Sequence, residues 1–161
     1  MNSTWLAHHG ILGQKWGVRR FQNPDGTLTE AGKKKYARQL RDKDGFSIIE
    51  KRNIFNKKPS GVYELNDRGK KVGQMIVDEE SDHRHIDWLG VDEKERRKGY
   101  GQRALDLIIE DGKKAGLKYL TLDAAGLDPA AVHIYEKKGF KAIKKIDSEL
   151  WNDLIVMRKD L

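Results

Sequence analysis

The stretch Val91-Asp92-Glu93-Lys94-Glu95-Arg96-Arg97-Lys98-Gly99-Tyr100-Gly101-Gln102 is the part of this 161-residue chain best suited to hold an anion. A strand-like run ends there, two glycines open a turn, and a helical pattern begins. The backbone N–H groups of a helix's first turn have no partner inside the helix, and the dipoles behind them add partial positive charge, so the main chain itself offers a phosphate site. Glycines let a phosphate approach the backbone closely. Arg96, Arg97 and Lys98 can add charge-assisted hydrogen bonds. A plain strand-to-helix turn would use the same residues, so this pattern alone leaves both readings open.

Other chemistries are excluded or weakly supported. The chain has no cysteine, so disulfides, thiolate metal sites and thiol nucleophiles are ruled out. His8 and His9 are adjacent, without the further ligands a metal site needs, and no metal is expected. The apolar runs fall far short of the ~20 residues of a membrane span, and no apolar signal segment opens the chain. The expectation is a soluble, cytoplasmic protein.

The elements that must position the anion site follow from periodicity and turn signals. After the Asn23-Pro24-Asp25-Gly26 turn, Thr29 is a candidate N-cap for a helix through the basic stretch Lys33 to Arg41, ended by Asp44-Gly45. Strands are expected at 46–50, 62–65, 72–77 and 85–91. In the last of these, strict alternation puts His85, Asp87, Leu89 and Val91 on one side and Ile86, Trp88 and Gly90 on the other. A long amphipathic segment over 93–115 carries Leu105, Ile108, Ile109 and Gly112 on one stripe, with Gly116 as its stop. A strand at 118–124, a helix from Asp128-Pro129 to Lys138, and strands at 141–146 and 154–158 complete the order β-β-β-β-α-β-α-β-β. That order argues an α+β fold, a mixed sheet with helices packed on it.

In this context Arg96, Gly99 and Gly101 resemble motif A of the GNAT superfamily of N-acetyltransferases, Gln/Arg-x-x-Gly-x-Gly/Ala. Residues 128–140, Asp-Pro-Ala-Ala-Val-His-Ile-Tyr-Glu-Lys-Lys-Gly-Phe, resemble the family's Asn-x-x-Ala-x-x-x-Tyr-x-x-x-Gly-Phe motif. Ala131, Tyr135, Gly139 and Phe140 match, and Asp128 stands where Asn is usual. Residues 153–159 are similar to the family's last strand. The resemblance covers about residues 60–161.

The resemblance implies a mostly antiparallel twisted sheet, splayed between its fourth and fifth strands, 85–91 and 118–124, to receive the pantetheine arm of acetyl-CoA. Main chain near Leu89, Gly90 and Val91 would pair with that arm. Residues Arg96, Arg97, Lys98, Gly99, Tyr100, Gly101 and Gln102 would hold the pyrophosphate, with Asp128 also at the cofactor. Transfer would go directly to a neutral amine, with Tyr135 as the acid that protonates the departing thiolate. His85 or Asp87 would serve as base, directly or through water, since histidine's ordinary pKa of ~6.5 leaves it mostly neutral at pH 7. Relatives wall the acceptor site with helices between their first two strands, whereas residues 52–61 are too short for them. The acceptor side is therefore expected to be open, suiting a lysine or N-terminus of a protein or peptide.

Residues 1–44 are read as a separate basic leader and 45–161 as the acetyltransferase domain. Residues 1–60 hold 13 Lys and Arg against 5 Asp and Glu, whereas residues 61–161 hold 19 against 20. Residues 8–36, with His-x-Gly-x-x-Gly-x-x-Trp-Gly-x-Arg-Arg and Asp-Gly-x-Leu-Thr, look like a leader found on head-associated proteins of tailed phages and prophages. That resemblance implies docking to a virion or host protein, and a phage-encoded modifier of a host protein. Alternatively, Trp5, Trp16 and Phe21 would pack back onto the sheet. Two other functions remain open: a catalytically silent GNAT-fold phage structural or interaction protein, and a nucleic-acid-associated protein using the basic leader.

Overall fold

The computed structural model describes residues 21, 23, 27–53, 55–56, 59–125, 128–147 and 153–161. Most of the leader, including Trp5, His8, His9 and Trp16, lies outside them, as do Pro24, Asp25 and Gly26 of the expected turn. On either side of it, the Asn23 N–H donates to the Thr27 carbonyl at 2.7 Å.

Eight strands form one sheet: β1 (Tyr36–Arg41), β2 (Phe46–Arg52), β3 (Pro59–Asp67), β4 (Lys70–Glu79), β5 (His83–Val91), β6 (Tyr119–Ala125), β7 (Lys141–Ile146) and β8 (Leu154–Asp160). Their spatial order is β1-β2-β3-β4-β5-β6-β8-β7. Every neighbouring pair is antiparallel except β5 with β6. Helices α1 (Glu30–Lys35), α2 (Tyr100–Lys114) and α3 (Pro129–Lys137) complete the α+β architecture.

α2 buries Ala104, Leu105, Ile108, Ile109 and Gly112 at helical spacing against Ile48, Leu65, Met75, Ile86 and Leu120 of the sheet. Full burial of each Leu or Ile contributes roughly 1.5–3 kcal/mol. The helix stops at Gly116, whose φ of +74° favours glycine. α3 lies on the same side, where Lys138 at its end reaches Asp106 of α2 at 2.6 Å and Phe140 enters the core.

The N-terminal end differs from the expectation. Thr29 does cap a helix, accepting from the Gly32 N–H at 3.1 Å, but that helix ends at Lys35, and residues 36–41 are a strand rather than its continuation. Tertiary partners override the local preference. β1 pairs along β2, and Arg38 reaches Glu50 on β2 at 3.2 Å, Glu79 on β4 at 3.2 Å and Asp111 on α2 at 2.7 Å. Arg84 of β5, fully buried, shares Glu79 and Asp111. The expected boundary at 44/45 falls in the turn between these two paired strands. Phe21 meets the Tyr36 ring edge-on at 6.3 Å.

Removing Arg38 leaves Glu50, whose side chain is 2% exposed, without its cation. Arg38→Gln is expected to lower unfolding stability by about 2–3 kcal/mol, below the usual cost of breaking a fully buried pair because Arg38 is partly exposed. A urea midpoint that does not move would refute this.

Candidate functional site

β5 and β6 pair only from His83↔Tyr119 to Ile86↔Leu122. Beyond that point β5 stays with β4, through Gly73↔Val91, and β6 stays with β8, through Ala125↔Leu154. The two parallel strands therefore part, and the β5 edge facing the gap has main-chain groups with no strand to bond, which suits an amide-bearing ligand.

On the helix side the gap opens into a cavity of about 460 Å³, lined by Leu89 and Val91 of β5, the entry to α2, and Asp128, Ile134 and Tyr135 around α3. Of the residues expected at the cofactor, Leu89, Val91, Arg96, Arg97, Gly99, Tyr100, Gly101, Gln102 and Asp128 line it, and so does Tyr135. Gly90 and Lys98 do not. Gly90 lies beneath the Trp88 ring, which a Cβ there would strike at 2.2 Å, and Lys98 pairs with Glu95 at 2.8 Å.

The anion-site loop is built from left-handed backbone. Instead of one continuous helix from Glu93, a 3-10 turn spans Glu93–Glu95, Arg97 has φ +62° and Gly99 has φ +79°. Gly99 is the N-cap of α2 and contributes no side chain, leaving the first-turn N–H groups open to a ligand. Tyr100 is pinned away from them: its ring stacks on Phe46 at 5.6 Å and its hydroxyl donates to Asp67 at 2.9 Å. Gly101 puts the helix close to β5, its Cβ direction 3.9 Å from Val91 Cγ2.

Glu95 escaped the sequence reading. It is buried, and hydrogen bonds from Lys70 and Lys98 hold its carboxyl down at about 2. Its i,i+3 spacing from Lys98 was the available signal; Lys70 lies too far along the chain. Glu95 thereby ties Lys70 and Lys98 together and anchors the loop before α2, with Arg96 and Arg97 beside the open N–H groups.

Tyr135 projects from α3 with its ring edge-on to Phe140 at 6.3 Å. Burial raises its pKa, and the negative charge of Asp128 raises it further, so the phenol keeps its proton. None of the described residues hydrogen-bonds its hydroxyl. Asp128 caps α3 by accepting from the Ala131 N–H at 3.1 Å, as Asn also does. Asp128→Asn is therefore expected to leave stability within ~0.5 kcal/mol while removing one of the two causes that raise Tyr135. Its titration, followed by NMR of carbon-labelled tyrosine, should move to lower pH; an unmoved titration would refute the coupling.

On the opposite face, strict alternation fails. β4 meets β5 as Val77↔Ile86 and then Ile76↔Trp88, so Asp87 is an inserted, bulged residue. Leu89 and Val91 consequently pack toward the core with α2, not beside His85 and Asp87 as expected. His85 Nδ1 lies 2.8 Å from Thr121 Oγ1, and Nε2 lies 3.6 Å from Asp87 and 3.7 Å from Asp123. His85 and Asp87 are thus together, with two β6 residues the sequence reading did not include.

Residues 17–140 match the family model described as the acetyltransferase (GNAT) family. Among solved structures, Ard1 from Thermoplasma volcanium is similar at 19% identity over 63% of this chain and 70% of that one, with a TM-score of 0.57. The ribosomal-protein-S18-alanine N-acetyltransferase from Escherichia coli gives 24%, 62%, 67% and 0.56. A GNAT family acetyltransferase from Elizabethkingia anophelis, solved with acetyl-CoA bound, gives 18%, 62%, 75% and 0.54. At these identities the likeness establishes the fold. No curated protein sequence matches the chain.

Proposed function

The chain belongs to the GNAT family of acetyltransferases, and from that premise we propose that it transfers the acetyl group of acetyl-CoA to a primary amine, a lysine or the N-terminus of a protein. The observation that carries this reading is the gap between β5 and β6, which opens at one end onto the left-handed Gly99 loop and is flanked by Tyr135. Pantetheine would lie along the free β5 edge near Leu89 and Val91, with the pyrophosphate on the N–H groups of residues 99–102 and beside Arg96 and Arg97. Tyr135 would protonate the departing thiolate, and His85 or Asp87 would take the proton of the amine.

The acceptor side supports a macromolecular amine, because only residues 53–58 join β2 to β3, too few to wall it with helices. Some structural neighbours are named for polypeptide substrates or partners: the S18-alanine enzyme, and the NatC complex bound to Gag peptide and CoA. The phage-like resemblance of the leader, together with its positive charge, supports docking to a virion or host protein, with action in the cytoplasm of a bacterial host. Incubating the full chain with acetyl-CoA and host lysate, then reading thiol release and mass gains of one acetyl group, tests this. Release that depends on added protein supports the reading; thiol release at the blank rate overturns it.

A further inference from the structure

Asp87 and Asp123 are the first residues beyond the last β5–β6 pair, Ile86↔Leu122. They stand at the mouth of the gap on the face away from α2, opposite the cofactor cavity. His85, one position before that last pair, directs Nε2 toward both carboxylates, and its other nitrogen is held by Thr121. Beside them Trp88 leaves 51% of its surface exposed, a face a cation can approach.

Resting on the acetyltransferase reading above, we propose that Thr121 and Asp123 are positioning residues of the acceptor site. Thr121 fixes the His85 ring, and Asp123 joins Asp87 in directing a positively charged, lysine-type amine onto Nε2. When Nδ1–H donates to Thr121 Oγ1, Nε2 carries the lone pair. The arriving ammonium passes one proton to Nε2. The freed amine nitrogen attacks the thioester carbonyl carbon, the C–N bond forms as the C–S bond breaks, the second amine proton leaves to water, and the thiolate takes a proton from Tyr135. Carboxylates beside an ammonium would ordinarily oppose its deprotonation. Here the positive charge only moves from the amine to the imidazole, and it stays between the same two carboxylates throughout.

Other charged groups also face His85: Asp78, its partner on β4, and Arg158, which pairs with Thr121 from β8 and lies 3.8 Å over the Tyr119 ring. Arg158 is thereby engaged with that ring and with Asp160, which leaves the carboxylates dominant at the mouth.

Pentalysine is the probe, with acetyl-CoA binding measured in parallel by calorimetry. Wild type should acetylate it. Asp123→Asn should raise its KM about tenfold with kcat nearly unchanged, the loss of one charge-assisted contact. Thr121→Val should lower kcat at least about tenfold with KM unchanged, and Thr121→Ser should restore it. A wild type that binds acetyl-CoA yet leaves pentalysine unmodified, or variants with wild-type constants, would overturn the proposal and leave the acetyltransferase reading standing. Absence of acetyl-CoA binding would overturn both.

Discussion

Gly99→Glu should leave a folded protein whose affinity for acetyl-CoA has fallen at least ~1000-fold, the largest effect of any single change at the site. Gly99 is the N-cap of α2 at φ +79°, with nothing within 4 Å of where a Cβ would stand. The side chain would thus enter open space at the helix N-terminus, and its carboxylate would occupy the place proposed for the pyrophosphate. The left-handed backbone adds a strain of about 1–2 kcal/mol. Gly116 supplies a matched control, because it lies past the other end of α2 at φ +74°, also with nothing within 4 Å. Gly116→Glu carries comparable strain and the same charge, and should bind acetyl-CoA as wild type does. Equal affinities in the two variants, both folded by circular dichroism, would mean that the loop is not the phosphate site.

Tyr135→Phe should lower kcat about 1000-fold while acetyl-CoA binds within a factor of two, since the ring that packs on Phe140 is retained and only the hydroxyl, the proposed proton donor, is lost. The pH dependence has a definite sign. Burial, then the charge of Asp128, places the phenol above its ordinary value of about 10, so the acid form persists across neutral and mildly alkaline pH. Wild-type kcat should therefore show no alkaline fall assignable to Tyr135 below about pH 10. Asp128→Asn should bring that fall to lower pH, and Tyr135→Phe should abolish it. A Tyr135→Phe enzyme with wild-type kcat would assign protonation of the thiolate to water.

Local signals carried much of this fold. The stripe Leu105, Ile108, Ile109 and Gly112 marked the buried face of α2, Thr29 marked a cap, and Gly99 and Gly101 marked the loop where the helix begins. What escaped depends on partners distant in sequence. Residues 36–41 read as a basic helix because Arg38 meets its carboxylates 12, 41 and 73 positions away. The bulge at Asp87 is invisible to a period-two count, since it exists only in register against Ile76 and Val77 of β4. Thr121 and Asp123 could not be paired with His85 until the parallel β5–β6 contact was known, 36 positions apart for Thr121. Asp128 lacks the amide usual at its position, yet a carboxylate accepts from the Ala131 N–H in the same way.

Calorimetric titration of acetyl-CoA into the full chain decides whether the gap between β5 and β6 is an acetyl-CoA site. Saturable binding of one acetyl-CoA per chain, with a Kd in the micromolar range and abolished by Gly99→Glu but not by Gly116→Glu, is the expected result. A titration that produces no binding heat up to about 1 mM acetyl-CoA would contradict it.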